Sequence, residues 1–372
     1  MSRKIRVLVV DDSTVIRRLL TDALASDPCI EIAGIAANGK IALAKIPQVN
    51  PDLITLDMEM PEMDGITTLV ELRRLYPKLP VIMFSTLTQR GAEATIDALS
   101  KGANDYVTKP ANVGSVNAAI QNVKNELIPK IKAFCPWTNP APANPISRTP
   151  IAMKAATTIP SSRPGSSRNG RIDIVAIGVS TGGPNALQTL IPRLPASLPV
   201  PVVIVQHMPA VFTKHLADRL NQLSELEVGE AVAGELVQPG KVWVAPGDYH
   251  MVTNREGNSV RIGLNQGTPE NSCRPAVDVM FRSVAEVYGA NVLGVILTGM
   301  GQDGARGCGF IRDLGGRTIV QDEATSVVWG MPGATVHLGQ ADKVLPLSKI
   351  AEEIIRETAQ GRNVRTLVGA GT

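Results

Sequence analysis

Uninterrupted apolar runs that stop abruptly on reactive residues constrain this chain more than any other feature. IRVLVV stops at Asp11 and Asp12, DLITL at Asp57, PVIMF at Ser85, IVAIGV at Ser180 and PVVIVQ at His207. A strand that is apolar on every residue is buried on both faces, the condition of a parallel sheet covered by helices. The stretches between the runs carry apolar residues every three to four positions, as in Ile16, Leu19, Leu20, Ala23 and Leu24, which reads as helix. The fold class is therefore α/β. In an open parallel sheet the carboxyl ends of the strands share one edge, where ligands bind, so the reactive residues are expected to gather there.

At 372 residues the chain is too long for one comfortable core and suits two domains. Residues 1–134 alternate five strands with five helices, the first capped by Ser13 and the others expected near 39–46, 65–75, 90–101 and 112–134. Residues 135–170 are dense in Pro, Ser and Asn and read as a linker. Residues 171–360 form a second, doubly wound and mainly parallel α/β unit, and 361–372 form a frayed tail. Within that unit the short runs VGEAVAG, KVWVAP, HMVTN and VRIGL, between about 228 and 265, read as inserted antiparallel hairpins.

Composition narrows the function. A net charge of +3 without any basic block argues against nucleic acid and membrane surfaces as partners. Cys29, Cys135, Cys273 and Cys308 show no C-x-x-C spacing, which argues against a zinc or disulfide framework and suits a reducing cytoplasm. The first apolar run turns acidic too soon for a signal peptide, and no run approaches the ~18 apolar residues of a membrane span.

Residues 172–184, IDIVAIGVSTGGP, read as strand, tight turn and helix with Ser180 at the tip, and GVSTG fits the G-x-S-x-G nucleophile elbow. A serine hydroxyl requires a base. Of the four histidines, His207 is favoured because it ends a strand as Ser180 does. His250, near Asp248, is second; His215 reads as a surface residue of a helix, and His337 lies in a late segment, TVHLG. Asp303, in the glycine-rich loop after VLGVIL, is the candidate orienting acid, with helix N-capping as its bland alternative. The chain order Ser180, His207, Asp303 differs from the serine–acid–histidine order of the α/β-hydrolases that share the elbow.

In the first unit, Asp11, Asp12 and Asp57 would repel one another without a hard cation, and oxygen-only ligands suit Mg²⁺. Ser85 and Lys109 offer a hydroxyl and a counter-charge to a phosphoryl group on Asp57. VVDDS, LDMEMPEMDG, Ser85 and TKP at 108–110 resemble the flavodoxin-like (βα)5 receiver domain of two-component response regulators. The resemblance implies that Asp57 accepts phosphate from a histidine kinase and that Asp11, Asp12 and Asp57 hold Mg²⁺ with the backbone carbonyl of Glu59. It also implies that Ser85 and Lys109 register the phosphoryl group and that Tyr106 is an aromatic that swings with it.

IGVSTGGP, VQHMP, APGDYHM, ILTGMGQDG and VVWGMPGA resemble the catalytic domain of the chemotaxis protein-glutamate methylesterases. That implies a cytoplasmic serine esterase, working without a cofactor, that hydrolyses γ-glutamyl methyl esters on chemoreceptors and deamidates receptor glutamines. The triad carried over is Ser180, His207 and Asp303. Thr181 and Met300 line the site, with the Met300 N–H as candidate oxyanion donor, and the receiver restrains the catalytic face until phosphorylated. Two rivals stand beside this reading: a DNA-binding output domain, which lacks a basic helix-turn-helix, and a phosphate-cradling GVSTGGP loop, which lacks the P-loop lysine.

Overall fold

The computed structural model describes residues 3–110, 116–135 and 170–361. The linker expected within 135–170, the tail beyond 361 and the start of the helix expected from 112 fall outside those residues. The first unit runs β1 (Ile5–Val10), α1 (Thr14–Ala25), β2 (Ile30–Ala36), α2 (Gly39–Val49), β3 (Leu53–Asp57), α3 (Gly65–Leu75), β4 (Val81–Ser85), α4 (Gln89–Ser100), β5 (Asp105–Thr108) and α5 (Val116–Phe134). Its strands form one parallel sheet in the order β2-β1-β3-β4-β5. The Ser13 hydroxyl accepts from the Ile16 N–H and starts α1 as expected.

The second unit opens with β6 (Ile174–Val179), α6 (Gly183–Leu190), β7 (Val202–Gln206), α7 (Ala210–Leu223), β8 (Glu227–Glu230) and β9 (Lys241–Val244). It continues through β10 (His250–Glu256), β11 (Ser259–Asn265), α8 (Val277–Tyr288), β12 (Val292–Ile296), α9 (Ala305–Asp313) and β13 (Arg317–Gln321). It closes with α10 (Gly330–His337), β14 (Lys343–Leu345) and α11 (Leu347–Ala359). The main sheet has seven strands in the order β14-β13-β12-β6-β7-β9-β8, and every pairing in it is parallel. From β6 the chain builds one side of the sheet first and the other side later, so a switch point lies beside β6.

One expectation is corrected here. Of the four short strands read as antiparallel hairpins, only β10 and β11 pair that way. β8 and β9 instead extend the main sheet in parallel. A parallel pair needs a crossover, and residues 231–240 supply one without a helix. That segment is tied to β11 through Gly234 N–H to Ile262 O at 2.8 Å, Ile262 N–H to Glu235 O at 2.9 Å and Val237 N–H to Val260 O at 2.8 Å. Its local turn chemistry is that of a hairpin; its long-range pairing is not.

The two units pack together. Apolar residues of both join one buried cluster, with Leu99 and Tyr106 on one side and Leu187 and Phe212 on the other. The Tyr106 and Phe212 rings stack with centroids 4.7 Å apart. Ser100 Oγ donates to Gln188 Oε1 at 2.8 Å, and Asn185 Nδ2 donates to Ala103 O at 3.0 Å. His215, expected at the surface, is half-buried in this contact, its Nε2 3.0 Å from Gln89 Oε1. Among the described residues no helix is long and apolar enough to cross a membrane.

Phe212 is fully buried and stacks on Tyr106 across this interface. We expect Phe212→Ala to cost about 3–5 kcal/mol, the range for truncating a packed aromatic, measured by urea unfolding of the full chain. A loss under about 1 kcal/mol would show that the ring is not packed in this way.

Candidate active site

β12, β6 and β7 are neighbours, and the three reactive residues of the second unit follow their carboxyl ends. Val179 is in register with Gln206, so Ser180 and His207 are the next residues of adjacent strands. Asp303 arrives by the loop after β12. This is the crevice that a switch point opens at the edge of a parallel sheet.

The elbow is built from backbone constraints. Ser180 N–H donates to Thr298 O at 3.0 Å, continuing the sheet for one more residue, and Gly183 N–H closes a turn onto Ser180 O at 2.8 Å. Gly182 has φ of 76°, a left-handed conformation that favours glycine. Gly299 must also be bare, because a Cβ there would lie 2.8 Å from Ser180 Cβ. Two residues that sequence reasoning passed over hold the turn: Gln206 Nε2 donates to Ser180 O at 3.0 Å and Thr298 Oγ1 donates to Thr181 O at 2.9 Å.

Asp303 is buried and fully engaged. His207 Nε2 lies 2.8 Å from its Oδ2, which also accepts from Val277 N–H at 2.7 Å. Its Oδ1 accepts from Asp278 N–H at 3.0 Å, Gly304 N–H at 3.0 Å and Asn271 Nδ2 at 2.8 Å. The acid therefore sits on the N-terminal turn of α8, where exposed N–H groups and the helix dipole favour an anion. It does not cap α9, whose N-cap is Gly304. Burial alone would push the Asp303 carboxyl up, but the His207 bond and charge and the α8 N–H groups outweigh it and hold the carboxyl below its usual range. Burial likewise works against a charged His207; the Asp303 bond, helped by the Cys273 thiol, prevails and pushes the imidazole up to about 9.

The other ring nitrogen, His207 Nδ1, faces Cys273 Sγ at 3.6 Å, and no hydrogen bond joins His207 to Ser180 among the described residues. Cys273 and Asn271 were not foreseen. They sit on the loop before α8, where Asn271 and Ser272 adopt φ of 53° and 62° and Glu270 exchanges two backbone hydrogen bonds with Cys273. Ser180, Thr181, His207, Cys273 and Met300 line one cleft of about 950 Å³, and Leu87, Tyr106, Glu126 and Lys130 of the first unit line its other side.

His250, the second candidate base, is spoken for: its Nδ1 accepts from Ala276 N–H at 3.2 Å, so Nε2 carries the proton and donates to Thr268 O at 3.1 Å. His337 sits at the end of α10 with Nδ1 2.6 Å from Gly333 O. At Met300 the peptide is oriented by its neighbour, since Gly299 O accepts from Gly330 N–H at 3.0 Å and Met331 N–H at 2.8 Å. In a trans peptide the following N–H points the opposite way.

In the first unit Asp11, Asp12 and Asp57 bring carboxylate oxygens within 4.8 Å of one another. Lys109 Nζ reaches Asp11 at 3.0 Å and Asp57 at 2.7 Å. Burial pushes the Asp57 carboxyl up, Lys109 pulls it down and the Asp11 charge raises it again, leaving it at about 6. Asp57 Oδ2 is buried with no hydrogen-bond partner among the described residues, and an all-oxygen set with such an orphan fits a hard divalent cation. Ser85 is at the same edge, but its hydroxyl donates to Gly91 O at 3.1 Å rather than to Asp57. Tyr106 is turned into the interface, stacked on Phe212.

A carboxylate cluster on one parallel sheet, packed against a Ser/His/Asp cleft on another, defines a two-part α/β protein with a receiver-like input and a hydrolase-like output. Comparison with known families agrees. The CheB methylesterase family matches residues 175–354, and the response regulator receiver domain matches residues 7–121. A protein-glutamate methylesterase/protein-glutamine glutaminase of Trichodesmium erythraeum is 54% identical over 95% of this chain and 99% of its own length. One of the same description from a Nocardioides species is 49% identical over 99% of this chain and 98% of its own. The crystal structure of the Thermotoga maritima CheB methylesterase catalytic domain is 46% identical, covering 50% of this chain and 99% of that one, with a TM-score of 0.49. The chain belongs to the CheB methylesterase family and carries a response regulator receiver domain. A receiver domain implies Mg²⁺ for its phosphorylation, and the residues present fit that ion.

Because the folded pKa of His207, about 9, lies above the ordinary ~6.5, the His207–Asp303 pair contributes stability that is present near pH ~6.5, is lost as pH rises through about 9, and is lost in acid as the Asp303 carboxyl, held below its usual range, protonates. We expect an NMR titration of His207 to show a midpoint near 9, and Asp303→Asn to lower it. A midpoint at or below the ordinary ~6.5 would show that the Asp303 bond does not govern the ring.

Proposed function

We propose that Ser180 is the nucleophile, His207 the base and Asp303 the orienting acid of a protein-glutamate methylesterase and protein-glutamine glutaminase that acts on chemoreceptors. The observation that carries this reading is the arrangement at the switch point: a serine and a histidine following adjacent strands, with the histidine held on a buried carboxylate at 2.8 Å. Since Nε2 is engaged by Asp303, Nδ1 is the nitrogen that takes the Ser180 proton. Ser180 Oγ attacks the ester carbonyl carbon and negative charge develops on the carbonyl oxygen. The Met300 N–H, turned away from α10 by the Gly299 bonds, is the oxyanion donor; one such donor is typically worth about 10²–10³ in rate, and Thr181 shapes the same wall. Methoxide leaves with the proton from His207 as methanol, and water repeats the sequence to free the glutamate. With a glutamine the leaving group is ammonia. Since the base must be neutral, the rate rises with pH towards about 9.

Asp57 is the phosphoryl acceptor, served by a histidine kinase. Asp11, Asp12, Asp57 and the Glu59 carbonyl would hold Mg²⁺, which supplies positive charge to the phosphoryl oxygens when bound. Lys109, which bridges Asp57 and Asp11, and Ser85 are the groups that register the new charge. In the unphosphorylated arrangement the receiver covers one wall of the cleft. Tyr106, three residues from Lys109, stacks on the helix that follows His207, and its movement is the device that loosens this contact. Residues 135–170 tether the halves, and the setting of the reaction is the cytoplasm.

We expect Ser180→Ala to abolish methanol release from a methylated receptor, and substantial residual turnover would remove Ser180 from its role. Deleting residues 1–135 is expected to raise basal esterase activity. A catalytic fragment no faster than the unphosphorylated full chain would show that the receiver does not restrain the site.

A further inference from the structure

Cys273 Sγ and His207 Nδ1 stand 3.6 Å apart in the wall of the cleft. Two ligands on one tetrahedral zinc, with Zn–S of about 2.3 Å and Zn–N of about 2.0–2.1 Å, are separated by about 3.6 Å. Behind the imidazole stands a carboxylate: Nε2 is held by Asp303 Oδ2 at 2.8 Å, the arrangement that fixes the ring and raises its basicity at metal-binding histidines. Asp303 is in turn held by Asn271 Nδ2 at 2.8 Å and by the N–H groups of α8, so the ring is aimed before any ion arrives. The thiol is aimed too, by the paired backbone hydrogen bonds between Glu270 and Cys273 and by the Arg282–Glu270 ion pair at 2.6 Å. Donor atoms of His207, Cys273 and Asp303 all lie within 4.8 Å of one another. The set is nitrogen and sulfur backed by oxygen, whereas the receiver cluster of Asp11, Asp12 and Asp57 is oxygen alone. Soft thiolate and imidazole donors select ions of the zinc class, and carboxylates select Mg²⁺.

We propose that a thiophilic divalent cation of the Zn²⁺ class binds between Cys273 Sγ and His207 Nδ1 and thereby silences hydrolysis. Binding displaces the thiol proton, together with any proton on Nδ1, and forms S–metal and N–metal bonds; the remaining coordination positions face the cleft and take water. The silencing rests on His207 being the base, because the nitrogen that must receive the Ser180 proton is then a metal ligand.

The test uses the full chain stripped of metal by a chelator. Co²⁺ added as a spectroscopic probe is expected to give a thiolate-to-metal charge-transfer band that is absent in Cys273→Ser; Co²⁺ at the receiver carboxylates gives no such band. Zn²⁺ alone is expected to stop methanol release, and a chelator to restore it. Losing a group that merely supports a metal ligand costs about 10–100-fold in affinity. Losing the thiolate itself should therefore raise the half-inhibiting Zn²⁺ concentration by about 100-fold or more. A Co²⁺ spectrum without the band, or one identical in Cys273→Ser, overturns the site. A band with undiminished methanol release puts the metal on Cys273 without Nδ1 and overturns the proposal, while the role of His207 as base is read separately, from loss of methanol release in metal-free His207→Gln.

Discussion

Asp303 is a carboxylate in a place where a charge cannot be left alone. It is buried, and an unpaired ion there would be neutralised or would unfold its surroundings. Five donors prevent that: the His207 imidazole, three backbone N–H groups at Val277, Asp278 and Gly304, and the Asn271 amide. These donors come from the end of β7, the loop and first turn of α8, and the loop that follows β12. One side chain therefore pins together three of the segments that line the cleft. It also occupies one ring nitrogen of His207: with Nε2 taken, Nδ1 is left facing Cys273 Sγ.

The strand order explains why those segments meet. β12, β6 and β7 are adjacent in the middle of the sheet, so their carboxyl ends are neighbours although Ser180 and Asp303 are far apart in the chain. Polar side chains at those ends complete the frame. Gln206 and Thr298, flanking Ser180 on either side in the sheet, each bond a carbonyl of the elbow. The same edge points at the first unit. α7 begins at Ala210, soon after His207, and carries the Phe212 ring that Tyr106 stacks on. The contact surface between units is thus fastened to the helix that follows His207.

The strands and the residues at their ends were legible because each strand is a local apolar run, and its last residue can be read directly. His207 meets Asp303, and Lys109 meets Asp11 and Asp57, at the strand ends where that pattern puts them, while Ser180 follows the neighbouring strand without a hydrogen bond to His207 among the described residues. What escaped was set by pairing at a distance. β8 and β9 look like hairpin strands, but β9 pairs in parallel with both β7 and β8, and their crossover is tied to β11. His250 resembles a base until Ala276 and Thr268 claim both nitrogens. The loop holding Asn271 and Cys273 was the hardest to foresee, because its left-handed residues are asparagine and serine, which carry no glycine signature. A thiol in such a loop reads as an isolated cysteine until the fold sets it against an imidazole.

The reach of the substrate follows from the walls of the cleft. On the proposed reading the glutamyl side chain that reaches Ser180 is carried by a receptor protein, whose bulk must stay outside the cleft. Glu126 and Lys130 of α5 and Tyr106 of β5 stand on the wall opposite Ser180 and Met300. Lys130 is fixed there by its bonds to Tyr106 O at 2.6 Å and to Asp105 at 3.3 Å. On the proposed reading no receiver side chain takes part in the chemistry at Ser180, but receiver residues line the cleft through which it is reached. On that reading, control acts through packing, by the Tyr106–Phe212 stack and the hydrogen bonds beside it, rather than through the reacting atoms.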